Sequence, residues 1–428
     1  MCPTVTQALV TSLLVRPSHS LFRLFHTLST MDLRGQHPTI APIAAKIRLS
    51  ILSTAVVDAL GFANEFKRRF MGDFLSEMKP NQLFTSIPAG SWTDDTSLML
   101  CLARSISTVG GSDGVDQMKR YEKWKNEGYL SSVGYCFDVG TQIGRAIDIF
   151  SSFAIEDGDR ALAFHQIKGE LGGEMRSGNG SLMRILPIGL VCWRNVDEGK
   201  AWARECSQTT HPNTMCVEAC QLWTCLIMKI LQEVNKSQHS SAEGTPTLSK
   251  LDLLEEISKF PFTDSKLREA LTVPDGVAKP SPPDGEDLEG WFCQHHPLAR
   301  LIVKTQTPMA STPTKDPSFP YTIPPVESLS SSGYVLSTIV AALYSFFATR
   351  TFEEGALMAV NLCDDADTVG AVYAGLAGCW YAGEKGSEKA KQLFWSKRVL
   401  QWEKDLKKKE LVEQIAEELV NFESKKLS

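Results

Sequence analysis

The sequence predicts an all-α chain folded as one compact domain with long loop insertions. Three observations carry that reading. Apolar residues recur at helical spacing through most of the chain, strand-like alternation is sparse, and neither an internal repeat nor a domain boundary appears. The composition agrees: 43% hydrophobic and 22% charged residues describe globular material, and 428 residues can bury a large core.

Residues 1–40 are expected to form a flexible leader, with the domain proper over 41–425. Residues 1–31 hold Arg16, Arg23 and many hydroxyl side chains without an acidic residue, the composition of a mitochondrial presequence; Met31 is an alternative working start. The stretch "APIAAKIRLSILSTAVVDALGF" (41–62) has helix-spaced apolar residues and few turn formers. A second helix is expected from Asp94 or Asp95 to about Ile106. Thr93 would cap it, its hydroxyl accepting a first-turn N–H, and the acidic residues would sit at the positive helix end.

"VDQMKRYEKWKNE" reads as an exposed amphipathic helix, and "FDVGTQIGRAIDIF" and "GDRALAFHQIKGELG" read as further helices. In "RSGNGSLMRILPIGLVC" the turn formers Gly178, Asn179 and Gly180 precede an apolar run. "EGKAWARECSQTTHPNT" and "CVEACQLWTCLIMKILQEV" then resume the helical period. Polar segments near 237–249, 272–289 and 303–330 offer little apolar area to offset ordering, so they are expected as insertions or mobile loops. Packed helix returns at "GYVLSTIVAALYSFFAT" and again over the charged and apolar C-terminal run from Lys389 to Glu423.

A net charge of -6 supplies no global basic field, which argues against nucleic acid or an acidic membrane as the main partner. No apolar run reaches the length of a membrane span. Eleven scattered cysteines without a CxxC pair favour reduced, packed thiols in an intracellular protein, cytoplasmic or nuclear unless the leader directs it to mitochondria. The same spacing disfavours zinc.

Two acidic clusters carry the chemistry. "SWTDDTSLML" places Asp94 and Asp95 between Thr93 and Thr96, and "NLCDDADTVGAVYAGLAGCW" holds Asp364, Asp365, Asp367 and Thr368. Asp365 and Asp367, two apart, do not share a helix face, and they suit a loop entering a helix whose groups converge on a cation. Gly370, Ala374 and Gly378 form a small-residue stripe that lets another helix approach and hold the acidic turn. Each cluster alone reads sooner as a capped acidic turn than as a metal site. Brought together away from water, the carboxylates would have to take up protons or bind cations, and their oxygens favour magnesium or manganese.

In order, "VVDALGFANEF", "WTDDT", "SGNGSLMR", "TTHPNT" and "DDADTVGAVYAGLAG" resemble the ADP-ribosylglycohydrolase family, which includes the dinitrogenase reductase-activating glycohydrolases. The resemblance spans about residues 45–385 apart from the insertions. It implies a helical fold with two Mg2+ in a cleft, Mn2+ being the alternative ion, held by Thr93, Asp94, Asp95, Asp365, Asp367 and Thr368. Asp58, Thr96 and Asp364 would stand behind these ligands. Glu65 would border the cleft and activate or gate the attacking water, with Asp94 and Asp95 as alternative bases. Gly178, Asn179, Gly180, Ser181, Leu182 and Met183 would cradle the diphosphate of ADP-ribose, beside His211. Val57 departs from the family pattern, standing where a glycine often precedes the aspartate matched by Asp58.

The implied reaction is hydrolysis of an N- or O-glycosidic bond to the distal ribose, releasing ADP-ribose from a protein or a small molecule. Two alternatives stand beside it. Asp365-Ala366-Asp367-Thr368-Val369 also resembles the nucleophile motif of haloacid dehalogenase-like phosphatases, which follows a strand in an α/β sheet. The other is a non-catalytic ADP-ribose-binding descendant of the same fold.

Overall fold

Gly61 ends one helix against the start of another, and this junction organises the molecule. In a computed structural model the described residues are 31–153, 160–239, 246–280, 288–306, 316 and 318–426. Three helices frame the junction: α1 (Ile43–Gly61), α2 (Asp94–Val109) and α3 (Ala366–Tyr381). α1 is buried over most of its circumference, and α3 is buried along its whole length. Their contact is the most extensive between any two helices described.

Small residues allow the approach. A Cβ added to Gly61 would lie 2.5 Å from the Ala366 carbonyl oxygen, and one on Gly378 would lie 2.8 Å from Ser50 Cα. Val57 is accommodated by Gly370, whose Cβ position would be 3.0 Å from Val57 Cγ1. The bulk of the Val57 side chain is therefore met by a glycine on the facing helix. At the far end, buried Lys46 donates to the carbonyls of Trp380 (3.3 Å) and Ala382 (2.7 Å), tying the two helices together.

Around this pair pack Val335–Ala348 and Phe352–Asn361 on α3, Lys409–Lys425 on α1 and α2, and the long helix Thr214–His239. Among the described residues there is no β-sheet. Two isolated bridges, Glu65 with Asp364 and Gly178 with Tyr334, join loops at the helix ends. The all-α reading is thus correct, and the strand that a phosphatase-type nucleophile would require is missing from around Asp365.

Several local expectations differ from the structure. Residues 32–40, read as flexible leader, lie on the core: Leu33 is fully buried and Thr39 N donates to Trp380 O at 2.8 Å. Residues 1–30, with most of the presequence reading, are outside the described residues. The helix expected from Phe137 begins at Thr141. The C-terminal run is three helices, Glu388–Leu393, Lys397–Asp405 and Lys409–Lys425, the last preceded by Lys408 with φ +44°. Thr214–His239 is long and apolar enough to cross a membrane, which the sequence reading overlooked, although most of its apolar window is buried inside the protein. The insertions are partly helical, through His239, over Leu288–His295 and up to Gln306. Their remaining stretches, 240–245, 281–287, 307–315 and 317, are outside the described residues. The cysteines among the described residues are free thiols.

Candidate metal centre and substrate cleft

Asp58, near the end of α1, builds the first cluster. Its Oδ1 accepts from Thr93 N and Thr93 Oγ1, both at 3.0 Å, and its Oδ2 accepts from Thr96 N (3.0 Å) and Thr96 Oγ1 (2.6 Å). The acceptor that caps α2 is therefore Asp58, 35 residues upstream. Thr93 occupies the cap position but makes no side-chain cap bond, contrary to expectation. A carboxylate from another helix satisfies the orphan N–H groups and frees Asp94 and Asp95 to face the cleft.

The second cluster rests on strained backbone. Cys363 and Asp364 have φ of +58° and +61°, a region β-carbons disfavour, and Phe66 across the bridge has φ +60°. Buried Arg69 holds this turn. Its guanidinium donates to Leu362 O, Pro324 O and Leu329 O, each at 2.7 Å, and to Ser331 Oγ at 2.8 Å. Phe66 N donates to Asp364 O and Asp364 N to Lys67 O, which fixes Glu65 beside the acidic turn. Asp364 itself is exposed.

The clusters meet. Thr368 Oγ1 donates to Asp95 Oδ2 at 3.2 Å, and the Thr93 hydroxyl lies 3.0 Å from both Asp58 Oδ1 and Asp95 Oδ2. Carboxylate oxygens of Asp58, Asp95 and Asp367 lie within 4.8 Å of one another, as do those of Glu65, Asp138 and Asp367. These are two candidate acidic metal-binding clusters. Both oxygens of Asp58 are already fully engaged by donors, so its place is behind the site.

The donor set fits hard cations. Asp95 Oδ1, Asp367 Oδ1 and Glu65 Oε2 are buried and lack any hydrogen-bond partner, a costly state for carboxylate oxygens unless a proton or cation meets them. Burial, then the neighbouring aspartates, pushes Asp94, Asp95 and Asp367 well above the carboxylate range. Glu65 is raised by burial and then by Asp367. Burial lifts Asp58 and Asp365 to about 6, opposed by donors from Thr96 and Thr93 in one case and from Asn179 in the other. All the ligating atoms are oxygen, which suits magnesium or manganese and not zinc.

Asp138 was missed by sequence reading. It lines the cleft, raises the proton affinity of Asp94 and Glu65, and has φ +53°. Its context "FDVGTQIG" carries helical spacing, so only the strained conformation, invisible in sequence, shows that it turns toward the site.

The cleft, about 390 Å³, is lined by Glu65, Asp94, Asp95, Asp138, Asp365 and Asp367 at one end and by Gly178, Asn179, Gly180, Met183 and His211 at the other. Asn179 Nδ2 donates to Asp365 Oδ2 at 2.6 Å and to Thr338 Oγ1 at 2.8 Å, coupling the glycine turn to the acidic end. Gly180 is required for close approach, since a Cβ there would lie 2.8 Å from His211 Cε1. Ser181 and Leu182 do not line the cleft: Ser181 Oγ accepts from Ser207 Oγ at 2.9 Å, and Leu182 is buried in the core. The diphosphate-cradle expectation thus narrows to Gly178–Gly180 and Met183.

Arg184 is also internal, donating to Gly180 O and, at 2.7 Å, to Thr210 Oγ1. Thr210 Oγ1 also lies 2.7 Å from His211 Nδ1, a hydrogen bond that fixes the ring. Burial and the Arg184 charge hold His211 neutral, and its Nε2 faces Gly178 and Gly180.

A family model described as ADP-ribosylglycohydrolase matches residues 39–426. The chain is 25% identical over 373 residues to the ADP-ribosylarginine hydrolase Tri1 of Pseudomonas putida (strain GB-1), covering 86% of this chain and 80% of that protein. It is 21% identical over 313 residues to ADP-ribosylhydrolase ARH3 of Gallus gallus, covering 69% and 71%. A solved structure described as an ADP-ribosylglycohydrolase-related protein complex superposes with TM-score 0.54 at 27% identity, covering 89% of this chain and 99% of that one.

Proposed function

The chain belongs to the ADP-ribosylglycohydrolase family, and from that premise we propose that it hydrolyses the glycosidic bond to the distal ribose of an ADP-ribosyl group. One observation carries the reading: Asp95 Oδ1 and Asp367 Oδ1, from opposite ends of the chain, are buried without partners in one cluster. Thr93, Asp94, Asp95, Asp365, Asp367 and Thr368 would hold two divalent cations, Mg2+ or Mn2+. When bound, these supply positive charge that binds ribose hydroxyls and increases the acidity of water.

The chain's own residues do the rest. Asp94, Asp138 and Glu65 face the end of the cleft where the ribose would lie, and their charge favours the oxocarbenium-like character that develops as the bond breaks. Glu65 is the base we assign. Its Oε2 is unengaged, and burial beside Asp367 raises its affinity for a proton. The water oxygen bonds to the anomeric carbon, its proton passes to Glu65, and the C–N or C–O bond breaks toward the leaving group, which takes up a proton. Backbone N–H groups around Gly178–Gly180, with His211 beside them, would orient the diphosphate.

The relative from Pseudomonas putida is named an ADP-ribosylarginine hydrolase, so the arginine linkage is the first to assay. The test is ADP-ribose release by the purified chain from arginine-, serine- and small-molecule-linked ADP-ribose, with magnesium, manganese or a chelator. Release that requires a divalent ion supports the proposal. Tight ADP-ribose binding without release from any conjugate would establish a binding protein, and cleavage confined to phosphomonoesters would defeat the glycosidic reading.

A further inference from the structure

Large exposed apolar side chains stand on the loop that runs from the cleft's edge. Phe66, which lines the cleft, is 54% exposed, Phe70 64%, Met71 80% and Leu83 68%. Exposed apolar side chains grouped on one segment mark contact sites, and these four stand within one loop, 65–83. Phe66 leans on Phe84 with ring centroids 6.3 Å apart, which keeps the lip firm up to the cleft.

The same loop walls a second pocket of about 530 Å³, lined by Met71 and by the cations Lys67, Arg68 and Lys79, with Asp73 the acidic residue among the lining. Arg68 and Lys79 are exposed and form no ion pair among the described residues. Cations left unpaired beside exposed apolar groups, on a chain of net charge -6, run against the general charge of the molecule.

Resting on the hydrolase reading above, we infer that this lip docks the protein segment that flanks the ADP-ribosylated side chain, and that the segment is acidic with apolar residues interspersed. The substrate class is thus a modified protein, not a free metabolite. Charge complementarity selects the sign: Arg68 and Lys79 attract carboxylates, while the acidic cleft repels a chain that approaches without its ADP-ribose. Two of the four apolar side chains, Met71 and Leu83, are not aromatic, which favours peptide side chains over stacked bases.

The test compares hydrolysis by the full chain of one ADP-ribosyl linkage in three settings: a peptide flanked by Asp, Glu and Leu, a peptide flanked by Lys and Leu, and a small-molecule conjugate. The acidic peptide should have kcat/KM higher on the order of tenfold, through KM, with the advantage lost at high salt. Arg68→Glu/Lys79→Glu should remove that advantage and leave turnover of the small conjugate unchanged; Met71→Ser/Leu83→Ser should raise KM for both peptides. Equal kcat/KM for the two peptides, with the small conjugate still cleaved, overturns the docking surface and spares the hydrolase reading. If no conjugate is cleaved that reading fails, and fluorescence anisotropy of the two labelled peptides still decides docking. Preference for an ADP-ribosylated oligonucleotide over the acidic peptide would also overturn it.

Discussion

The Thr368 hydroxyl donates to Asp95 Oδ2 at 3.2 Å across 273 positions of sequence. Each residue opens a helix, Asp95 in the first turn of α2 and Thr368 in the first turn of α3, so two positive helix ends converge on one group of carboxylates. The helix ends and the threonine donors soften the repulsion without abolishing it, since Asp95 Oδ1 and Asp367 Oδ1 remain unpartnered. The charge left over is what a divalent cation would neutralise.

Removing one of those charges should therefore separate stability from function. Asp95→Asn and Asp367→Asn should each lower kcat/KM by at least about a hundredfold, the scale of a lost transition-state contact. Without divalent ion both should melt no lower than the parent, because a buried like charge has gone. The parent should gain about 2.7 kcal/mol at a hundredfold excess of cation over Kd, and the variants much less. Thermal melts with and without manganese, alongside ADP-ribose release, check this. A full manganese gain in both variants would remove Asp95 and Asp367 from the cation site.

The pH dependence of the cation-free chain follows from the same charges. Asp58 and Asp365 are raised to about 6, and Asp94, Asp95 and Asp367 are raised well above the carboxylate range, in each case chiefly by burial. The folded state thus binds more protons than the unfolded chain, whose carboxyls titrate near ~4. This contribution to stability is complete below about pH 4 and is lost as pH rises through 6 and beyond. Subtracting the melting profile of Asp95→Asn from that of the parent isolates the site from surface ion pairs. The difference should grow from pH 5 to 8 without cation and flatten with saturating magnesium; a flat difference without cation contradicts the coupling.

How far the sequence could be read depended on whether a residue's role was local. The convergence of Asp94, Asp95, Asp365 and Asp367 on one cleft was legible because two short acidic motifs, in order, carry a family resemblance, and the close approach of another helix to α3 because Gly370, Ala374 and Gly378 repeat at helical spacing. Asp58 as the cap of α2 was not, since a cap supplied from 35 residues upstream leaves no local signature. Arg69 stands in "KRRF", which carries no local mark of burial, yet it is buried with four acceptors. Ser181 and Leu182 were misplaced because a glycine turn shows where backbone comes close and not which way its neighbours point.

Arg69 therefore makes its own prediction. Arg69→Met would remove the Arg69 donor from the Pro324 and Leu329 carbonyls, leave Leu362 O with the Ser331 hydroxyl alone, and release the strained turn at Cys363 and Asp364. Manganese affinity should fall about 10- to 100-fold, as when a support behind a metal ligand is removed, while the helical circular dichroism is retained. Arg69→Lys should recover little, because an ammonium cannot reproduce the planar fork. Unchanged manganese affinity in both variants would show that the acidic turn holds itself.

Glu65→Gln keeps the side chain's shape and removes its basicity. Substrate should still bind, with KM within about twofold, while kcat falls about 100- to 10,000-fold, the range for a lost general base. Because Asp138 lies in the same carboxylate cluster, Asp138→Asn is the companion measurement. A larger loss of kcat in Asp138→Asn than in Glu65→Gln would transfer the role to Asp138.

Gly61 and Gly378 sit on opposite helices of one interface, at its site end and its distal end. A Cβ at Gly61 would press 2.5 Å from Ala366 O and 2.7 Å from Asp367 Cα, whereas one at Gly378 would meet Ser50. Gly61→Ala and Gly378→Ala should both destabilise by about 1–3 kcal/mol, the usual result of overfilling a close contact. Only Gly61→Ala should also shift Asp367 and weaken manganese binding. Urea unfolding supplies the stabilities and manganese titration of the folded proteins the affinities. Equal loss of affinity in the two would mean that the helix pair moves as one rigid body, so that the acidic turn senses the whole interface and not its near end.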